Sequence, residues 1–267
     1  PRGGGQKKMA ALNPFLSRAA ADDPDAKPPV PLGGSDRDAR NTAAKSGNGF
    51  AADAVSEALW SEWSETVRRL ELGREKLGRL APSLLDLPTV IWETPLDYYT
   101  ARRVDEIRRL KTHGEKRVRV VLEVFSIIHQ AAARAELREH IDLRLVPKFI
   151  GPIERWIFER LADRKIPSTE ALCDGLFRPL VQQIQIDLGE SVAQLLTDRI
   201  GLEGEAQSVR QLARDAGVTR ARVYQLFDQC AKAIDVRWPE GAAQLALLEQ
   251  RFATAADAED RTTLQML

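Results

Sequence analysis

The stretch SVRQLARDAGVTRARVYQLFDQ, Ser208 to Gln229, decides how this chain reads. Its apolar residues fall at helical spacing on either side of a glycine, the pattern of two helices joined by a tight turn. The spacing predicts a first helix over Val209–Ala216, a turn at Gly217–Val218 and a second helix opening at Thr219. Ala213 is small where two steeply crossing helices must approach. Gly217 stands where the first helix ends and the backbone needs φ > 0. Val218 is expected to fill the crevice between the helices, and Thr219 to cap the second one through its hydroxyl. Leu212, Val223 and Leu226 fall on the inner faces. Arg220, Arg222, Tyr224 and Gln225 are left facing outward, on the part of a recognition helix that enters the major groove. A hairpin that merely packs would share the glycine. The agreement of cap, turn, small residue and outward basic residues favours a DNA-binding helix-turn-helix.

Together with RIGLEG at Arg199–Gly204, the run SVRQLARDAGVTRARVYQL resembles region 4 of the sigma-70 family of bacterial RNA polymerase factors, over about residues 190–234. The resemblance implies a small all-α bundle. It carries Arg220, Arg222 and Gln225 over as groove and phosphate contacts at the promoter −35 element. Thr219, Ala221 and Tyr224 belong to the same DNA-facing segment, and Arg210 is placed to fix register on the backbone. The resemblance also implies duplex DNA and the β flap of RNA polymerase as partners. Ala221 stands where the family usually has Glu, and Tyr224 where it usually has Arg, so the resemblance implies the fold and leaves the usual −35 preference open. No aromatic-rich helix resembles the region that melts promoter DNA. The expected role is therefore accessory or regulatory, short of a complete sigma factor. The alternative is an interaction module that docks on polymerase without reading DNA sequence.

The 267 residues suffice for one large or two to three small domains. Lys plus Arg and Asp plus Glu number 39 each, so the formal charge is +0 and any nucleic-acid surface must be local. No apolar run approaches the roughly 18–20 residues needed to cross a bilayer, and no signal peptide is evident, so no membrane partner is expected. Cys173 and Cys230 are far apart and outside any CxxC, which suits a reduced, cytoplasmic setting, and the DNA-binding expectation makes it nucleoid-associated. The chain opens on Pro1, which suggests an N-terminal truncation. No phosphate-binding loop, dinucleotide fingerprint, nucleophile elbow or zinc-protease motif occurs. With three histidines and no nucleophile–base pair, no enzyme, cofactor, metal or small-molecule substrate is expected.

The fold class expected is all-α, with a disordered tail over 1–51, a helical domain over 52–165, the helix-turn-helix domain over 166–252 and a flexible tail over 253–267. From Ala52 to Leu80, Val55, Leu59, Trp63, Val67, Leu70, Leu77 and Leu80 mark one helical face, with Trp60 and Trp63 as core anchors. TPLD at Thr94–Asp97 reads as a helix start capped by Thr94, the helix running to about Leu110. Between Ala101 and Val120, eight basic residues face three acidic ones. Leu110, a turn at Gly114, and Lys116, Arg117 and Arg119 weakly resemble a helix–hairpin–helix and the C-terminal domain of the polymerase alpha subunit, over 94–130. That resemblance implies Lys111, His113, Gly114, Lys116 and Arg117 as phosphate contacts. The alternative is a solvated basic helix face with His113 in its turn. Pro147 and Pro152 are expected to bracket a break before a helix over Ile153–Leu161, with Trp156 and Phe158 in the core. Ser168 opens the next helix. Arg237–Trp238 is expected to pack back on the bundle, before a final helix from Gly241.

Overall fold

The computed structural model describes residues 50–136, 145–163 and 166–253. Apart from its last two residues, the tail expected over 1–51 lies outside the described residues, as does the chain beyond Ala253. The fold is all-α: among the described residues the regular elements are helical, and a single isolated bridge pairs Lys76 with Pro95. The chain divides into two compact units between Pro147 and Lys148. The expected boundary at 165/166 therefore moves, because the helix after Pro147 buries its apolar stripe in the C-terminal unit.

In the N-terminal unit, α1 (Glu57–Arg69) starts at Ser56, whose Oγ accepts from the Leu59 amide at 3.2 Å. Trp60, Trp63 and Val67 form its buried stripe. The helix does not continue to Leu80. Glu71 adopts a left-handed conformation (φ 55°), and the chain restarts as α2 (Leu77–Leu80) and α3 (Thr89–Trp92). The helix expected from Thr94 to Leu110 is instead two short ones, α4 (Asp97–Thr100) and α5 (Val104–Arg108). Thr94 is not the cap. Its carbonyl accepts from Leu77 N at 2.8 Å while Leu96 N donates to the Glu75 carbonyl at 3.0 Å. This backbone pairing with a distant segment holds Thr94–Leu96 out of helix, and no local pattern announces it. The long α6 (Glu115–Glu136) supplies Val121, Leu122, Val124, Phe125 and Ile128 to the core and packs on α1. Phe125 meets Trp60 at a ring separation of 4.5 Å, and the Trp60 indole donates to the Arg102 carbonyl at 2.8 Å.

In the C-terminal unit, α7 (Ile150–Ala162) carries Pro152 inside its first turn. An amide there has no helical acceptor, so proline is tolerated and no break follows. Ile150, Ile153 and Ile157 face inward. Phe158, expected in the core, is 77% exposed, one residue past that inward stripe. Ser168 caps α8 (Thr169–Leu172), with Oγ accepting from Ala171 N at 3.2 Å. A π-helical turn at Cys173–Phe177 leads into α9 (Arg178–Leu188). Trp156, half-buried, lies against Gly175 in that turn, where an added Cβ would come within 2.2 Å of the indole nitrogen. Then follow α10 (Glu190–Ile200), α11 (Val209–Asp215), α12 (Arg220–Arg237) and α13 (Gly241–Ala253). Arg237 and Trp238 do pack inward, each 2% exposed. Arg237 Nε donates to Asp187 Oδ2 at 2.9 Å and Nη2 to Oδ1, while Gln183 donates to the same carboxylate at 2.8 Å. The far end of α12 is thereby tied to α9.

Candidate nucleic-acid interface

The Ser208–Gln229 stretch folds as two helices whose joint is specified bond by bond. Ser208 Oγ accepts from Gln211 N at 3.2 Å and starts α11. At its end Gly217 takes φ 64°, Val218 N donates to the Ala213 carbonyl at 2.9 Å, and Gly217 N donates to the Arg214 carbonyl at 3.2 Å. This is the paired closure of a Schellman turn. Thr219 Oγ1 then accepts from Arg222 N at 3.1 Å and starts α12. Leu212, Ala213, Val223 and Leu226 are buried at the joint. Val218 is not: at 38% exposure it stands at the rim. Leu212 and Val223 are the residues withdrawn there, and the chain leaves the Schellman closure at Gly217 with Val218 in solvent. Upstream, Gly201 (φ 77°) ends α10, and Arg199 Nη1 donates to the Gln207 carbonyl at 2.8 Å. The RIGLEG loop is thus folded back to deliver Ser208 to its capping position.

Arg210, Thr219, Arg220, Ala221, Arg222 and Gln225 are exposed, and Tyr224 is half-buried. Apart from Arg210 they occupy one continuous segment, the cap and first two turns of α12. The Thr219 hydroxyl accepts from its own helix, so it positions that segment. Arg214 on α11 is exposed as well. Nearby acids are Asp215, which accepts from the Gln211 amide at 2.8 and 3.0 Å, and exposed Asp228. The corner is locally basic although the whole chain is neutral.

The second candidate surface changes character. His113 is 8% exposed, with Nε2 sharing a hydrogen bond with the Tyr99 hydroxyl at 2.9 Å and Nδ1 with Thr112 Oγ1 at 2.9 Å. Burial first, then the charges of Arg117 and Arg102, hold its pKa below the usual 6.5. The imidazole expected at a phosphate is instead withdrawn from solvent, with both ring nitrogens engaged by Tyr99 and Thr112. Arg117 is half-buried and donates to the Thr112 carbonyl. Lys116 and Arg119 lie 3.6 and 4.0 Å from Asp86. Lys111 and Gly114 are exposed. Other arginines of this basic run serve the fold: Arg108 donates to the Ala52 and Val55 carbonyls at 3.1 and 2.9 Å, and Arg102 lies 3.7 Å over the Tyr98 ring. Sequence counts the charges and cannot show which of them caps a carbonyl.

His129 sits between Thr66 Oγ1 (2.8 Å) and Glu62 (3.6 Å). Among the described residues no group of three His, Cys, Asp or Glu is placed to hold a metal ion, and no helix is long and apolar enough to cross a membrane. Cys173 and Cys230 are both free thiols, and burial pushes the Cys230 thiol up to about 12. The Asp187–Arg237 pair escaped sequence reading, since its members lie fifty residues apart with no motif to link them. No family model, curated protein or solved structure matches this chain.

Proposed function

We propose that the C-terminal unit binds duplex DNA with the first two turns of α12 in the major groove. The protein then acts as an accessory or regulatory transcription factor of the bacterial nucleoid, with a sigma region 4-like reader and without a complete sigma factor's promoter-opening parts. The observation that carries this reading is the joint itself. A Schellman turn at Gly217 and a threonine cap at Thr219 set a basic, exposed helix start on a bundle to which the helix's other end is tied by a buried ion pair. Arg220 and Arg222 would meet phosphates or guanine edges, for which a guanidinium is the usual bidentate partner. Gln225 would pair with adenine or a phosphate, and Arg210 would hold register on the backbone.

The test is selection of the full chain on a random duplex pool at two salt concentrations, beside Arg220→Ala/Arg222→Ala. A motif enriched by the wild type and lost by the double variant is expected. Equal, weak binding by both proteins with no motif would overturn the proposal. A second reading is favoured by exposed Val218 beside Ala221: an apolar rim suits a protein partner such as the polymerase flap. Salt-insensitive binding to polymerase without DNA affinity would select that reading.

A further inference from the structure

The first turn of α12 exposes three side chains, Arg220, Ala221 and Arg222, and Ala221 alone carries neither donor nor acceptor. Gln225, also exposed, lies four residues on and therefore on the same face. The hydroxyl that precedes them, Thr219 Oγ1, accepts from Arg222 N and is held in the cap. A methyl group thus stands between two arginines in the sequence, one turn ahead of a carboxamide on its own face. In the major groove thymine is distinguished by an apolar group, the methyl at C5, whereas cytosine presents an amino donor. Against cytosine, Ala221 would desolvate that donor and return no hydrogen bond. Against thymine, two apolar groups would leave water together.

We infer that Ala221 is a specificity residue that reads the 5-methyl group of one thymine in the bound site. This rests on the DNA-binding reading above and adds to it a particular base chemistry at a particular residue. Arg220 and Arg222 supply attraction on either side, and the alanine sets which pyrimidine is accepted between them. Val218 is a second exposed apolar side chain near this corner, as is Ala216, but it precedes the cap and lies outside the helix. It serves as the internal control.

The experiment starts from the best duplex recovered by the full chain from a random pool. Each thymine is replaced singly by uracil, which pairs identically and lacks only the methyl. Affinity is measured at one fixed salt for wild type, Ala221→Gly, Ala221→Glu and Val218→Ala. Circular dichroism confirms that each variant keeps wild-type helicity. One thymine-to-uracil exchange is expected to weaken wild-type binding about fourfold, the worth of one methylene-sized apolar group. Ala221→Gly should bind both duplexes equally, and Val218→Ala should keep the discrimination. Ala221→Glu, whose carboxylate suits a helix's first turn, should shift selection toward cytosine at that position. An enriched motif whose binding ignores every uracil exchange would overturn the inference and leave DNA reading intact. So would discrimination that survives in Ala221→Gly or disappears in Val218→Ala. Absence of any enriched motif would overturn the DNA-binding reading and this inference with it.

Discussion

Arg237 is a cation held almost entirely out of water, and it is tolerated because it donates two hydrogen bonds to the Asp187 carboxylate, which also accepts one from Gln183. A buried pair of this kind contributes little over an apolar replacement, yet breaking it strands a charge. Arg237→Met alone is expected to destabilise the full chain by about 3–5 kcal/mol in urea unfolding. Asp187→Leu/Arg237→Met should recover most of that loss, and a double variant no better than the single would show the pair is not the cause. His113 gives a second residue-level expectation. Its folded pKa lies below the unfolded value of 6.5, because the buried neutral ring is favoured. The unfolded chain therefore takes up the proton first as pH falls. Its contribution is complete above pH 6.5, is lost as pH drops from there to the folded pKa, and is level below that. Urea midpoints of wild type and His113→Gln, followed across this range, should diverge in slope. Parallel curves would refute the assignment.

At the level of elements, the two glycines that end α10 and α11 differ in a way sequence does not distinguish. Both have positive φ, 77° at Gly201 and 64° at Gly217. A Cβ on Gly217 would meet nothing within 4 Å, whereas one on Gly201 would sit 2.8 Å from the Ala206 backbone nitrogen. Gly217→Ala should therefore cost only the left-handed strain, roughly 1–2 kcal/mol. Gly201→Ala should cost clearly more, since the backbone of the RIGLEG loop must also move. Equal losses of thermal stability would contradict the difference in space. The same scale explains which helices were legible. α11 and α12 carry their own start and stop chemistry in Ser208, Gly217 and Thr219, so local sequence and local structure agree. The Thr94–Leu110 segment carries a plausible start in TPLD, but hydrogen bonds from Glu75 and Leu77 claim its first residues. Tertiary pairing overrides propensity there.

For the molecule as a whole, the formal charge of +0 removes any general attraction to polyanions. Under the proposed reading DNA affinity comes from the α11–α12 corner, and its salt dependence should report the arginines that touch phosphate. Removing Arg220 and Arg222 together is expected to lower the slope of log affinity against log salt by up to about 2, one per phosphate contact. A slope unchanged in the double variant would place the electrostatic contact elsewhere. The division into units follows burial as well. Ile150, Ile153 and Ile157 place α7 with the C-terminal unit, a choice that periodicity alone cannot make, since an apolar stripe does not name its partner. Sequence by itself determined the all-helical class, the two helices of the Ser208–Gln229 stretch with both caps and their glycine, the tryptophan anchors of α1 and the outward facing of Arg220, Arg222 and Gln225. These rest on interactions within a few residues, where chemistry and spacing are visible together. Only the tertiary structure decided that His113 turns inward, that Val218 and Phe158 stay in solvent, and that Asp187 holds Arg237. Each of those outcomes depends on which distant segment arrives to cover a side chain, and that is a property of packing.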